Sequence, residues 1–405
     1  MAKKPARPVV FSQKQIQANA ARLLESTCEQ LAGAGIYAKL PAYSKALILA
    51  NRYNPVKLYG SADKTLDEIF RNSLATTFIT TVIGSQISLA NYLREGLMLI
   101  QYVEMMARET SELHPDLIEA FKPYFSETDR YRSAVVEVIG ILRRLAVISS
   151  DWSDSILSYE LDNLCAINSI TASNQVNVTI HRPEQISISL EGNKREMLRA
   201  GWPEQLGGIN WISIPPAKIG FYTGGNDNRP VYIQRHALNR LDERLGIHKG
   251  LIHEAIAEAL LAENCHWQRY NEKTLIPLEI LNRKLGYLVV SYDQEKIIIR
   301  SFLFLTNNGT PEGNSISELT KLAPLDKKYL GMDTLMGFAS YEFSSDSELS
   351  ELFKQAGCED LLQVDDLIKF SEATIRVKNP QDIMQYLTLS KRKWSTDNGT
   401  FPLGT

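Results

Sequence analysis

The spacing of apolar residues changes once along this chain, near Ser149, and that change constrains the fold more than any other feature. Before it, apolar residues recur at helical spacing; after the polar joint Ser149-Ser-Asp-Trp-Ser-Asp they begin to alternate. A period near 3.6 buries one stripe of a helix and a period of two buries one face of a strand, so the chain needs a helical part and a sheet-containing part. The expected class is α+β.

The first stretch, residues 1–150, reads as a helical bundle. Ser12 caps a helix carrying Ile16, Leu23, Leu24 and Leu31, and Gly33-Ala-Gly35 stops it. A second helix is predicted over 42–53, ended by Asn54-Pro55. A long tract over 61–108 follows, interrupted at Gly84-Ser85 and kinked near Gly96. Helices over 117–124 and from Ser126 onward complete the bundle. Residues 74–98 are the most apolar part of this tract, yet Thr76, Thr77, Thr80, Thr81, Arg94 and Glu95 break them, which is too polar for a membrane span.

A β-rich region is predicted over 151–228, with Val176, Val178 and Ile180 alternating in one strand and Ile186, Ile188 and Leu190 in the next. The two read as a hairpin, and 194–200 as a brief helix. The third region, 229–310, reads as a strand (231–233), helices over 235–245 and 251–261, then strands over 267–270, 274–281, 285–292 and 297–305. Turns are expected at 282–286 and 293–295. This is a small unit of two helices and an antiparallel meander. The region 311–405 reads as mainly helical, entered through an exposed loop, Thr306-Asn-Asn-Gly-Thr-Pro-Glu-Gly, with helices over 315–322, 326–338 and 347–356. A strand over 368–377 and a helix over 379–389 precede the basic, aromatic stretch at 391–402.

Composition limits the function. At 405 residues, 44% apolar and 22% charged, the chain can bury cores in two or three domains. A net charge of −3 excludes a protein that coats polyanions with its whole surface, so any nucleic-acid contact must be a local patch. Cys28, Cys165, Cys265 and Cys358 stand singly, without CxxC pairs, and read as reduced buried thiols with no metal bound. His248 and His253, five apart, are a poor helical ligand pair. The basic start, residues 1–11, lacks the apolar run of a secretory signal and reads as a short arm. The expected setting is cytoplasmic, with no membrane contact and no cofactor.

The densest concentration of chemistry lies in 231–246, VYIQRHALNRLDERLG. A helix over 235–245 puts His236, Arg240, Glu243 and Arg244 on one face and Leu238, Leu241 and Leu245 on another. Arginine forks match phosphate oxygens and histidine titrates near neutrality, so this is a candidate anion site. The competing account is a solvated helix with ordinary charge pairs. Arg300, amid Ile297, Ile298, Ile299 and Phe302, interrupts an apolar strand and must face solvent or be paired.

His236-Ala237, Arg240, Glu243-Arg244 and Gly246-Ile247, followed by a helix and a meander ending in Ile298-Ile299-Arg300-Ser301, resemble the RelE/BrnT-like group of the barnase/colicin/RelE superfamily. The resemblance covers residues 232–306. It implies metal-independent cleavage of RNA by its own 2′-OH in a toxin-like or bacterial-defence effector. His236 would act as acid or base, Arg240 and Arg244 would hold the phosphate, Glu243 would orient an arginine or serve as base, and Arg300 would approach the site from the last strand. Arg235, Tyr232 and Thr306 would contact the substrate. The implied partner is RNA, with the N-terminal helical domain open to a protein partner or inhibitor. The alternative is a non-catalytic protein of the same fold that uses its arginine face to hold RNA or a protein.

Overall fold

The first helix, α1 (Gln13–Ala32), starts at a reciprocal cap: Ser12 Oγ accepts from the Gln15 amide at 3.3 Å, and Gln15 Oε1 accepts from the Ser12 amide at 2.8 Å. In the computed structural model, which describes residues 12–109, 113–162, 174–204, 207–222, 226–341, 343 and 347–371, the chain divides into two compact units. One comprises Met1–Leu145, Ser158–Thr179 and Gln205–Gly208; the other comprises Ala146–Leu157, Ile180–Glu204 and Ile209–Thr405. The fold class is α+β.

In the first unit, α2 (Ala42–Asn51) leads to a short strand, β1 (Lys57–Gly60). The tract expected over 61–108, helical with an interruption at Gly84-Ser85 and a kink near Gly96, contains two strands as well as helices. Helix α3 (Lys64–Thr76), capped by Asp63, ends where a β-branched run begins, because Thr, Ile and Val lose side-chain freedom in a helix and fit a pleated strand. That run forms a hairpin, β2 (Phe78–Thr80) with β3 (Gln86–Ser88), turning at Gly84 with φ +82°. The chain then passes through α4 (Leu89–Asn91) and a single π-helical turn, Tyr92–Gly96, into α5 (Leu97–Glu109). Helices α6 (Pro115–Phe121) and α7 (Glu127–Ser149) follow. Strand β1 pairs in parallel with β5 (Gln175–His181), giving a three-stranded sheet ordered β1-β5-β4 with β4 at Ile156–Asp162. Gly60 is required there: with φ +89°, a Cβ would sit 2.6 Å from the Val178 carbonyl oxygen.

The second unit corrects two expectations. The alternating strands at 176–180 and 186–190 do not form a hairpin, since β5 lies in the sheet just described and β6 (Gln185–Leu190) pairs with β7 (Asn193–Arg199). The segment expected as a helix over 194–200 is β7 itself. Its Met197 and Leu198 are buried while Lys194, Arg195 and Glu196 are exposed, and pairing to β6 and β11 (Arg229–Gln234) overrides the local helix preference. Short strands β8 (Gly201–Pro203) and β9 (Ile209–Trp211) pair together, and β10 (Ser213–Ile214) joins β11.

From β11 onward the elements come in the expected order: α8 (Arg235–Leu245), α9 (Lys249–Leu261), β12 (Gln268–Tyr270), β13 (Lys273–Ile280), β14 (Arg283–Asp293) and β15 (Lys296–Phe304). The meander's hairpins turn on Asn271-Glu272, Leu281-Asn282 and Gln294-Glu295, each pair with both φ values positive, which matches the twist of the flanking strands. The sheet runs β12-β13-β14-β15-β11-β7-β6, and β11 lies parallel to β15 with Val231 opposite Ile297. One face carries the main core, where Val231, Ile233, Ile297 and Ile299 meet Leu238, Leu241 and Leu245 of α8. The other carries a small cluster of Leu190, Met197, Tyr232 and Ile298.

Beyond the sheet lie α10 (Pro311–Thr320), α11 (Pro324–Leu330), α12 (Leu335–Ala339), α13 (Ser347–Gln355) and α14 (Asp365–Ile368). The single helix expected over 326–338 is broken by Gly331 at φ +72°, which caps α11. Ile368 ends a helix rather than opening a strand, and the remainder of that strand, the helix over 379–389, the stretch 391–402 and the arm 1–11 lie outside the described residues. Cys28, Cys265 and Cys358 are free and buried, and Cys165 also lies outside the described residues. No helix among the described residues is long and apolar enough to cross a membrane.

Candidate nucleic-acid interface

Helix α8 is held by its buried face. Ala237, Leu238, Leu241 and Leu245 enter the core, and each leucine contributes roughly 1.5–3 kcal/mol of burial. That outweighs the missing side-chain cap at Gln234, worth about 1 kcal/mol. Gly246, left-handed at φ +59°, closes the helix with its amide on the Asp242 carbonyl at 2.9 Å.

The polar face is open at its start and tied down at its end. His236 is exposed and makes no hydrogen bond or ion pair among the described residues. One turn on, Arg240 Nη1 donates to Glu243 Oε2 at 3.0 Å, with both side chains substantially exposed. Arg235 Nε donates to Glu196 Oε2 of β7 at 3.2 Å. Arg244 differs: only 17% exposed, it donates from Nη1 to Asn307 Oδ1 and to the Asp333 carbonyl at 3.2 Å, with the Asp333 carboxylate 3.9 Å away. Burial draws its pKa below the usual arginine value, against the pull of Asp333.

The three remaining predicted residues do not gather there. Tyr232 faces the small cluster on the sheet's other side, where its hydroxyl donates to Glu184 Oε2 at 2.8 Å, and burial followed by that bond pushes its pKa up. Strand alternation explains this, because its neighbours Val231 and Ile233 take the α8 side. Arg300, expected either to face solvent or to be paired, is 34% exposed and pairs with Glu191 in the β6–β7 turn at 2.8 Å. Thr306 is fully buried and donates to the Met332 carbonyl at 2.5 Å. The loop at 306–313, expected to be exposed, is therefore largely a buried structural knot. Lys327, 1% exposed, drives its Nζ into it and donates to the Thr306 carbonyl at 2.9 Å, Asn308 Oδ1 at 2.8 Å and the Gly313 carbonyl at 2.6 Å. Burial lowers the Lys327 pKa to about 8, so the ammonium stays charged at neutral pH and keeps all three donors.

Sequence reasoning passed over a second polar cluster beside α8. Asp151 Oδ2 accepts from Lys249 Nζ at 2.8 Å, and His253 stacks on Trp152 with centroids 4.6 Å apart and planes 10° from parallel. The His253 Nδ1 accepts from the Trp152 amide at 3.4 Å, and complete burial pulls its pKa down to about 3, fixing the neutral ring. Asn239, Asp242 and Lys249 border a space of only about 30 Å³ there, room for about one or two water molecules. The helical spacing of Lys249 and His253 was the available signal; the partners Asp151 and Trp152 are distant in sequence.

The arrangement on α8 is a helix offering an imidazole without a partner among the described residues and two arginines in exchangeable surface pairs. No family model, no curated protein and no solved structure matches this chain.

Proposed function

We propose that the second unit holds RNA against the first two turns of α8 and binds it without cutting it. The observation that carries this reading is the open His236, flanked by Arg235 and followed one turn later by Arg240, while Arg244, Tyr232 and Thr306 are committed to other partners and Arg300 pairs with Glu191 of the β6–β7 turn. Exposed arginine–carboxylate pairs are worth ~0.2–1 kcal/mol, so Arg235 and Arg240 can exchange Glu196 and Glu243 for phosphate oxygens at little cost. Cleavage through the 2′-OH needs a base, an acid and cations converging on one phosphate. His236 and Arg240 alone supply part of that set. The order of strand, two helices and meander supports the RelE/BrnT-like resemblance, from which RNA enters as the ligand.

The test is titration of a fluorescent single-stranded RNA with the full chain at two salt concentrations, together with end-group analysis of the RNA after long incubation in chelator. Wild type should bind and leave the RNA intact. Arg235→Ala and Arg240→Ala should each weaken binding and reduce the salt slope by about 0.7. Fragments ending in 2′,3′-cyclic phosphate, absent with His236→Ala, would replace this reading with the ribonuclease one. Absence of binding at low salt would remove RNA altogether.

A further inference from the structure

The first unit contains a cavity of about 180 Å³ that the reading of α8 leaves unused. It is larger than the ~150 Å³ engineered cavity known to admit benzene. Its walls come from the segment after α2, from α3, and from the α4 and π-turn region, and they sort by chemistry. Pro55, Val56, Leu74 and Leu93 make an apolar lining; Arg71, Arg94, Asn54 and Asn91 make a polar one.

The polar lining is unspent. The side-chain amides of Asn54 and Asn91 and the terminal nitrogens of Arg94 make no hydrogen bond among the described residues. Arg71 uses its Nε on Asp67, 3.0 Å from Oδ2, and stands half exposed. The Arg94 Nε lies 3.1 Å from Glu95 Oε1, and Arg52 reaches the same oxygen only at 3.8 Å. Glu95 is completely buried, with neither carboxylate oxygen accepting a hydrogen bond. Arg71 and Arg94 are the charged residues of the lining, and no carboxylate belongs to it.

The π-helical turn builds this arrangement. Its defining bond runs from the Leu97 amide to the Tyr92 carbonyl. The Arg94 carbonyl instead accepts from the Tyr53 amide at 3.2 Å, which fastens the segment bearing Asn54 and Pro55 beside Arg94. A π turn is rare, and such turns occur frequently at functional sites.

We propose that this cavity binds a small organic carboxylate, its anionic end between Arg94 and Arg71 and its apolar body against Leu74, Leu93 and Val56. Guanidinium forks match a planar carboxylate, and the free amides can donate to the same oxygens. An inorganic anion would leave the apolar wall unused, which is why the ligand is organic.

The experiment is calorimetric titration of the full chain with benzoate, hexanoate, methyl benzoate and inorganic phosphate, on wild type, Arg94→Gln and Arg71→Gln, each checked for folding by circular dichroism. The expected result is saturable binding of benzoate or hexanoate, with a dissociation constant on the order of 1 mM or below, and none of methyl benzoate. Each variant should bind at least about tenfold more weakly. Arg71 is an exposed helix residue, so Arg71→Gln keeps the test valid should Arg94→Gln unfold through the loss of a Glu95 partner. No saturable carboxylate binding overturns the proposal. So does binding unchanged in Arg71→Gln, equal binding of methyl benzoate, or binding of phosphate alone.

Discussion

Arg244 and Arg94 each sit near the end of a helical element, partly buried beside a carboxylate, and they have opposite fates. Arg244 is spent on the fold: Asn307, the Asp333 carbonyl and the Asp333 carboxylate surround it, and it pins the loop after β15 to α8. Arg94 has Glu95 as its carboxylate neighbour among the described residues and lines the cavity. A motif of residue types cannot tell these apart, since both are arginines adjacent to a glutamate in the sequence. What separates them is how many of their donors the protein itself satisfies. Around α8, Arg244 donates twice from Nη1 to the second unit while its buried Nε has no hydrogen-bond partner; around the π turn, the buried Arg94 Nε has none either, and no hydrogen bond from its terminal nitrogens is made among the described residues.

That contrast can be broken most severely at α9. A Cβ on Gly250 would lie 1.7 Å from the Val147 carbonyl oxygen, so Gly250→Ala must displace the Val147 backbone or the start of α9. The expected loss is about 4 kcal/mol or more, read as a collapse of the thermal transition with retained helical signal from the first unit. Wild-type stability would show that α9 can slide without cost.

Lys327→Met sharpens it next. The substitution keeps the stem but orphans the Thr306 and Gly313 carbonyls and Asn308 Oδ1, at a cost of roughly 2–4 kcal/mol by chemical denaturation. RNA binding by the folded fraction should be unchanged, because none of these groups lies on the open part of α8.

A smaller effect is carried by pH. His253 has a folded pKa near 3, against about 6.5 in the unfolded chain, so between these values the unfolded state binds a proton that the folded state refuses. Stability is therefore full above about pH 6.5 and falls by about 1.4 kcal/mol per unit as pH drops below it. Between pH 7 and pH 5 the loss should approach 2 kcal/mol. His253→Phe, which retains the stack on Trp152, should flatten that slope; equal slopes for the two proteins would mean that His253 is not the titrating group.

The region from β11 to β15 was legible because each element carries its own pattern: apolar alternation in the strands and a leucine stripe on α8. Elements whose identity depends on a distant partner were not. Strand β1 is four residues long and becomes a strand by pairing with Gln175 and its neighbours, while β7 reads locally as Lys-Arg-Glu-Met-Leu, a helical composition. The alternation of β5 holds at Val176 and Val178 but fails at the exposed Ile180, and the partners of β5 and β6 are not legible, since alternation specifies a face and says nothing about which sheet receives it. The site behaved similarly. His236 and Arg240 share a helix face as spacing requires, but the commitments of Tyr232, Arg300 and Thr306 depend on Glu184, Glu191 and Met332, which no local pattern announces. Arg94 and Glu95 registered only as polar interruptions of an apolar tract.

The position of β11 in the middle of its sheet has a consequence for synthesis. As the chain leaves the ribosome, β11 can pair at once with β7, but its other edge stays bare until β15 emerges, with Ile297 taking its place opposite Val231. At ~5–20 residues per second that interval lasts several seconds, during which a short apolar strand edge is available to other nascent chains. Helices α8 and α9 are made within that interval and can cover the exposed face, though not the edge, so the order of elements shields half of the hazard and leaves the rest to speed or to chaperones.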